Sequence, residues 1–293
     1  MRLVRLASLA GLLAAVSPAA TQIVFLGTGT PRPDPAHSGP AVAIVVDGAP
    51  YLVDMGTGLV RRAAQSGIKG LEPTNLTKAF VTHLHSDHTL GFADLMFTPW
   101  IMGRTAPLEV YGPAGLADMT AHLLAAYKED IAIRINGLEH GNATGYRVNA
   151  HEIKPGTVYE DSKVKVTAFL VRHGSWPQAF GYRFDTPGRS IVVSGDTAPT
   201  PSIAENCAGC DVLIHEAYAK AGSALRRPGW SEYLADAHTS AAELGEIANQ
   251  AKPKLLILYH QMYWGSSTEQ TILDELRQVY KGPVISAKDL DVR

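Results

Sequence analysis

Four apolar runs in this sequence each stop on a histidine or an aspartate. "KAFV" runs into "THLHSDH" at 82–88, "VTAFLV" into Arg172-His173, "RSIVVSG" into Asp196, and "KLLILY" into His260. Short apolar runs bounded by turn residues read as strands buried within a sheet. Loops that leave the same edge of a sheet lie side by side, so these distant residues are predicted to converge there. The first constraint on the fold is therefore that it delivers imidazoles and carboxylates from several strand ends to one edge.

Around those runs the chain alternates strand and helix in two successive blocks. The first holds "QIVFLGTGTP", "PAVAIVVDG" and "PYLVDMGTG" as strands punctuated by glycine and proline, then helix "GLVRRAAQSG", strand "PLEVYG" and helix "DMTAHLLAAYKED". The second holds strands "SKVKVTAFLV", "AFGYRFD", "RSIVVSGDT" and "CDVLIHEA", then helix "SAAELGEIANQA", strand "KLLILYH" and helix "TEQTILDELRQVY". Two such blocks around one core predict an α/β protein, a four-layer αββα sandwich of two β-sheets flanked by helices. The chain has 293 residues, 46% hydrophobic and 18% charged, which suits a large core and excludes a disordered chain. A net charge of −2 gives no basic excess of the kind that nucleic-acid binding needs.

The N-terminal "MRLVRLASLAGLLAAVSPAA" opens with Arg2 and Arg5, continues through a short apolar stretch and ends in small residues. That is the layout of a secretory signal over residues 1–19. The stretch is shorter than the roughly 20 residues a permanent membrane anchor requires. An exported domain over 20–293, periplasmic or secreted, is the expectation. Cys207 and Cys210 are spaced C-x-x-C, too few thiols for a structural zinc site, and read as a small disulfide or inert thiols.

His83, His85, Asp87 and His88 crowd ligand-type side chains into one short stretch after a buried strand. Neutral imidazole and carboxylate are the donors that zinc and its neighbours prefer. His83 and His85 are two apart, so continued strand geometry sends both out on one face. His173, Asp196 and His260 are the further candidates at strand ends. These residues could serve one metal or share two, and seven donors suit a dinuclear site with one carboxylate bridging. A hydroxide between two cations is a strong nucleophile at neutral pH, because the cations lower the pKa of bound water.

His-x-His-x-Asp-His followed by distant His, Asp and His resembles the metallo-β-lactamase superfamily of metallohydrolases, from about Gln22 to the C-terminus. "FLGTGTP", "LVDMGTG", "THLHSDHTLG", "SGDT" and "HEA" also resemble the branch holding the tRNA 3′-processing nucleases and the metallo-type arylsulfatases. The resemblance implies a sandwich of two mixed sheets and two zinc ions, with iron or manganese as replacements. His83, His85 and His173 would hold one ion, Asp87, His88 and His260 the other, with Asp196 bridging. Asp54 would be structural, beneath the site. Asp87 would also orient or deprotonate the attacking hydroxide. In the nuclease branch an "HST"-like triplet supplies a histidine that assists the leaving group. "HTS" at 238–240 makes His238 the matching catalytic candidate, oriented by Glu216, although Thr239 or Ser240 could simply cap the next helix.

Departures from that branch bear on the substrate. The tRNA nucleases usually insert a long basic arm between the third histidine and the bridging aspartate; here the step is 196 − 173 = 23 positions. Their closing His-x-Ser-x-Arg-Tyr is replaced by His260-Gln261-Met262-Tyr263-Trp264-Gly265. With a signal-like N-terminus and a slightly acidic balance, nucleic acid is not the expected partner. Two dications against two carboxylates and a hydroxide leave the site net positive, which favours phosphate or sulfate oxygens. The expectation is an exported dinuclear hydrolase that attacks a small sulfate ester or phosphodiester with a metal-bridging hydroxide. The alternatives are a lactonase or a β-lactam or carboxylic ester hydrolase, a tRNA 3′-processing endonuclease, and a non-catalytic zinc-binding relative. Trp100, Trp176, Tyr263 and Trp264 are candidates to line an apolar pocket, and Arg183 to contact an anion. Homodimers are common among such enzymes, but no segment here marks an interface.

Overall fold

The computed structural model describes residues 21–223 and 229–293; the signal expected at 1–19 lies outside them. One sheet runs, in spatial and chain order, β1 (Thr21–Gly27), β2 (Ala41–Val46), β3 (Ala49–Val53), β4 (Lys78–Phe80), β5 (Leu108–Gly112) and β6 (Val148–Glu152). The other runs β7 (Gly156–Glu160), β8 (Lys165–Val171), β9 (Ala179–Asp185), β10 (Ser190–Val193), β11 (Val212–Tyr218), β12 (Leu255–Met262) and β13 (Val284–Ser286). Both are mixed. Antiparallel pairing joins β1 to β3 and β7 to β10, and parallel pairing takes over beyond.

The first half also carries α1 (Leu59–Ser66), α2 (Ser86–Thr89), α3 (Phe92–Ile101), α4 (Leu116–Ala126) and α5 (Lys128–Asn136). The second carries α6 (Pro201–Cys207), α7 (Trp230–Ala237), α8 (Ala241–Ala251) and α9 (Glu269–Val279). Strand alternation sorts the apolar side chains into layers. In β1, Ile23 and Phe25 pack between the sheets with Phe80, Phe180, Tyr182 and Ile214. Val24 and Leu26 face outward onto Leu59 of α1 and Phe92 and Leu95 of α3. On the far side, Leu213 and Leu256 meet Leu244 of α8 and Leu276 of α9. Burial on both faces is why these strands read as unbroken apolar runs. The result is the four-layer αββα sandwich.

Several details depart from the sequence reading. β6 and β7 were not expected, since "VNAHE" and "GTVYE" are outer, mostly exposed strands with little apolar signal. The "DMTAHLLAAYKED" helix divides at Tyr127 into α4 and α5. The segment "SDHTLGFADLM" carries two helices, α2 and α3, separated at Leu90-Gly91. Gly91 donates its N–H to Met55 O at 2.8 Å, and a Cβ there would lie 2.4 Å from Gly56 O. Backbone against backbone at that distance admits only glycine. Arg183 contacts no open anion site: its guanidinium binds the Asp185 carboxylate and the Asn206 and Cys207 carbonyls at the end of α6. Cys207 and Cys210 are disulfide-bonded and buried. Among the described residues no helix is long and apolar enough to cross a membrane.

Candidate metal centre

Strand ends from both sheets meet at one edge of the sandwich, as the apolar runs predict. β4 stops at Phe80, earlier than the sequence reading assumed, yet Val81 still donates to Tyr111 O at 2.7 Å and keeps the following loop on the sheet edge. His83 and His85 therefore converge from a loop, with His83 Nε2 3.0 Å from His85 Nδ1. His173 follows β8 and places its Nε2 3.0 Å from the same His85 Nδ1. Asp87, His88 and His260 form a second cluster, with His260 Nε2 3.2 Å and His88 Nε2 3.6 Å from Asp87 Oδ2. Asp196 stands between the clusters, 3.4 Å from His88 Nε2 through Oδ1 and 3.6 Å from His260 Nε2 through Oδ2.

Backbone choices aim these side chains. Asp54 (φ 62°) and His260 (φ 45°) adopt left-handed conformations without being glycine, a strain of order 1–3 kcal/mol each that is typical of functional sites. His260 lies where the β11–β12 register shifts, and such a bulge turns a side chain out of the regular alternation. Gly195 (φ 62°) lets the Asp196 loop close on the histidine loop: a Cβ there would lie 2.8 Å from Thr82 Cβ.

A buried layer beneath fixes the tautomers. Asp54 accepts from the Thr82 N–H at 2.8 Å and the Thr82 hydroxyl at 3.0 Å, and its Oδ2 lies 2.8 Å from His88 Nδ1. Asp54 thus holds the His88 proton on Nδ1, so Nε2 is the atom that would ligate a cation in the site. His173 Nδ1 donates to Ala237 O at 2.6 Å, which leaves its Nε2 as a lone pair too. Burial drives His85 and His173 down to about 4 and His83 well below the ordinary range, so all three imidazoles are neutral and able to ligate at pH 7. Burial also opposes charge on His88, but the Asp196 and Asp54 carboxylates outweigh it and raise its pKa. Asp196 has the opposite balance: burial raises its pKa, and His260 and His88 pull it far below the carboxylate range.

These atoms fit a divalent cation better than they fit one another. His88 Nε2 and Asp196 Oδ1 are buried without a hydrogen-bond partner, and two imidazole Nε2 atoms compete for the single His85 Nδ1. The donor set of imidazoles and carboxylates, with ligand atoms within 4.8 Å of one another in each group, suits a metal.

His238 closes α7 and enters the same edge, with its Nδ1 3.1 Å from Glu216 Oε1 and 3.9 Å from Asp196 Oδ2. That Glu216 oxygen also accepts from the Thr197 and Thr239 backbone N–H groups. With two donors fixed on it, His238 Nδ1 is the third, so Nε2 is the atom left to exchange a proton. Ser240 caps α8 through a reciprocal capping box with Glu243, so the "HTS" triplet both starts a helix and places an imidazole. A cavity of about 860 Å³ opens over Asp87, Asp196, His238 and His260. Tyr263 and Trp264 line it, whereas Trp176 lies beside His85 and His173, and Trp100 is buried in the core, donating to Asn142 O. The sequence reading missed Arg32, Trp230 and Tyr233 on the cavity wall. The spacing of Trp230 and Tyr233, three apart just before "HTS", was the available signal.

Sandwich, strand-edge donor cluster and overlying cavity together fit a metal-dependent hydrolase acting on ester bonds. The β-lactamase superfamily domain matches residues 50–261, and the chain belongs to that superfamily. It is 33% identical to a ribonuclease Z of Mycobacterium marinum over 242 residues, covering 82% of this chain and 85% of the relative. A ribonuclease Z of Mycobacterium bovis is 31% identical over 243 residues, with the same coverage. Among solved structures, the metallo-β-lactamase fold protein YhfI from Bacillus subtilis superposes with a TM-score of 0.72 at 19% identity, covering 94% of this chain and 99% of its own. The short form of human tRNase Z gives 0.68 at 24% identity, covering 93% and 98%. These two share the fold.

Proposed function

We propose that this chain is a dinuclear zinc phosphodiesterase, its chemistry of the ribonuclease Z kind. The carrying observation is the meeting of two three-residue donor clusters at Asp196, with the His238–Glu216 pair beside them under one cavity. The sequence points first to small sulfate esters and phosphodiesters, then to a lactonase or a β-lactam or carboxylic ester hydrolase, and only then to a tRNA 3′-processing endonuclease. Relatives named ribonuclease Z favour this last alternative as far as the bond is concerned, so phosphodiester is the substrate class and sulfate ester is set aside. The β9–β10 connection spans only residues 186–189, which favours a short phosphodiester or a strand end over a folded RNA gripped by an arm.

In this reading His83, His85 and His173 would hold one ion and Asp87, His88 and His260 the other, with Asp196 within reach of both sets. Ions bound there would supply Lewis acidity toward water and the phosphoryl oxygens. Asp87, at the cavity floor, orients and deprotonates the attacking water. His238 gives a proton from Nε2 to the departing oxygen. Burial holds the free imidazole down at about 4, and an anionic ester in the cavity is the charge that favours its protonation. Export is part of the proposal, supported by the signal-like N-terminus and by a Cys207–Cys210 disulfide of the kind that oxidising compartments maintain.

A hydrolysis panel on the zinc-loaded protein tests the reading: bis(p-nitrophenyl) phosphate, an RNA with a 3′ extension, an aryl sulfate, a lactone and a β-lactam. Phosphodiester turnover should dominate, and His238→Gln should lower kcat by about a hundredfold with metal content unchanged. Faster turnover of sulfate, lactone or lactam would overturn it.

A further inference from the structure

The cavity over the metal centre has a lopsided wall. Arg32 is its one arginine or lysine among the described residues, whereas Trp230, Tyr233, Tyr263 and Trp264 all line it. Trp230 and Tyr233 share a face of α7, with ring centroids 5.0 Å apart at 40°. The same short helix ends at His238, whose ring meets Tyr233 edge-on at 5.5 Å and 73°. Trp264, at the opposite end of the sequence block, rests against the buried ring of Tyr218 at 6.4 Å. Rings supported in this way are held in place and retain part of their surface in the cavity.

We infer that Trp230, Tyr233 and Trp264 form a stacking subsite for one planar ring, a nucleobase or an aryl group, carried by the ester whose phosphate meets Arg32 and the metal centre. The inference rests on the phosphodiesterase reading of the same site. Aromatic walls bind rings through their π-faces without reading edges, so the subsite selects for a ring and not for a sequence. A cavity of about 860 Å³ is of the size that encloses a nucleotide-sized ligand.

The test is calorimetric binding of monoesters to the zinc-loaded full chain. AMP and phenyl phosphate carry a ring; ribose 5-phosphate and methyl phosphate are their ring-less counterparts. Each ring-bearing ligand should bind about tenfold or more tightly than its counterpart. Trp264→Leu should erase most of that gap, Trp264→Phe should keep it, and zinc content should not move in either. A larger gap for AMP assigns the subsite to a nucleobase, and a larger gap for phenyl phosphate assigns it to an aryl group. Equal affinities with and without the ring, or an undiminished gap in both Trp264→Leu and Trp230→Leu, would overturn the inference. Binding is read without turnover, so the two proposals fail separately. A protein that cleaves phosphodiesters without ring preference loses the subsite alone; ring preference without cleavage removes only the activity.

Discussion

Two buried polar clusters in this molecule solve the same physical problem in opposite ways. Arg104, only 1% exposed, is held by backbone carbonyls: its guanidinium donates to the Leu76, Leu95, Met96 and Gly145 carbonyls at 2.7 to 3.2 Å. Every nitrogen is used, and the arrangement ties the middle of α3 to the backbone at Leu76 and Gly145. Burial lowers its pKa only to about 10, so it stays charged at neutral pH. The strand-edge cluster is equally buried but leaves His88 Nε2, Asp196 Oδ1 and His260 Nδ1 without partners. An unpaired buried polar atom costs about 1–3 kcal/mol, so a cluster that keeps several is retained for something that fills it. Satisfied polarity marks a structural joint, and unsatisfied polarity marks a site.

That contrast can be broken by substitution on either side. The largest effect is expected at Asp196→Ala, which removes the carboxylate common to both donor groups. Elemental analysis should show the loss of at least one metal per chain, and turnover should fall about a thousandfold or more. Circular dichroism should remain native, because Asp196 stands beyond the end of β10 at the sheet edge and takes no part in the apolar core. Full metal content with full rate would sink the shared-carboxylate assignment. Next in size is Arg104→Met, which leaves its carbonyls without a donor. Urea denaturation should show a loss of about 3–5 kcal/mol, with metal stoichiometry unchanged in the folded fraction. A loss below about 1 kcal/mol, or a fall in metal content, would show that the two clusters are not separable in this way.

The same contrast explains what the sequence let a reader see. Strands buried on both faces, such as β1, β10 and β12, announce themselves as apolar runs, and each run that ends on His or Asp locates a piece of the site. "HLHSDH" was legible because four metal-type donors rarely crowd together for any other purpose. Asp54 was legible only through resemblance, since a lone aspartate after a strand has no local signature; its role depends on Thr82 and His88, which tertiary packing brings to it. β6 and β7 were hidden by polar, exposed sequence. Arg104 was hidden because its partners are backbone carbonyls, and these leave no trace in side-chain pattern. Trp230 and Tyr233 were hidden by having no ligand chemistry of their own.

Trp176 offers the finest test, because it is a satisfied bond inside the unsatisfied cluster. Its indole N–H donates to His85 Nε2 at 2.9 Å. A neutral imidazole that accepts at Nε2 carries its proton on Nδ1. Yet Nδ1 is the atom that faces both His83 Nε2 and His173 Nε2, so it is the lone pair a cation needs. A cation bound through Nδ1 would therefore shift the ring proton to Nε2, where it would meet the Trp176 donor head-on. One hydrogen bond, net about 1 kcal/mol, would be lost on loading, and the indole would have to find a new environment. Zinc titration of the metal-free protein should change the tryptophan emission, and Trp176→Phe should remove most of that change although Trp100, Trp230 and Trp264 remain. The same variant should bind zinc about fivefold more tightly, since no bond has to be broken. An unchanged emission response in Trp176→Phe would mean that His85 does not use Nδ1, and the first donor cluster would have to be redrawn around His83 and His173 alone.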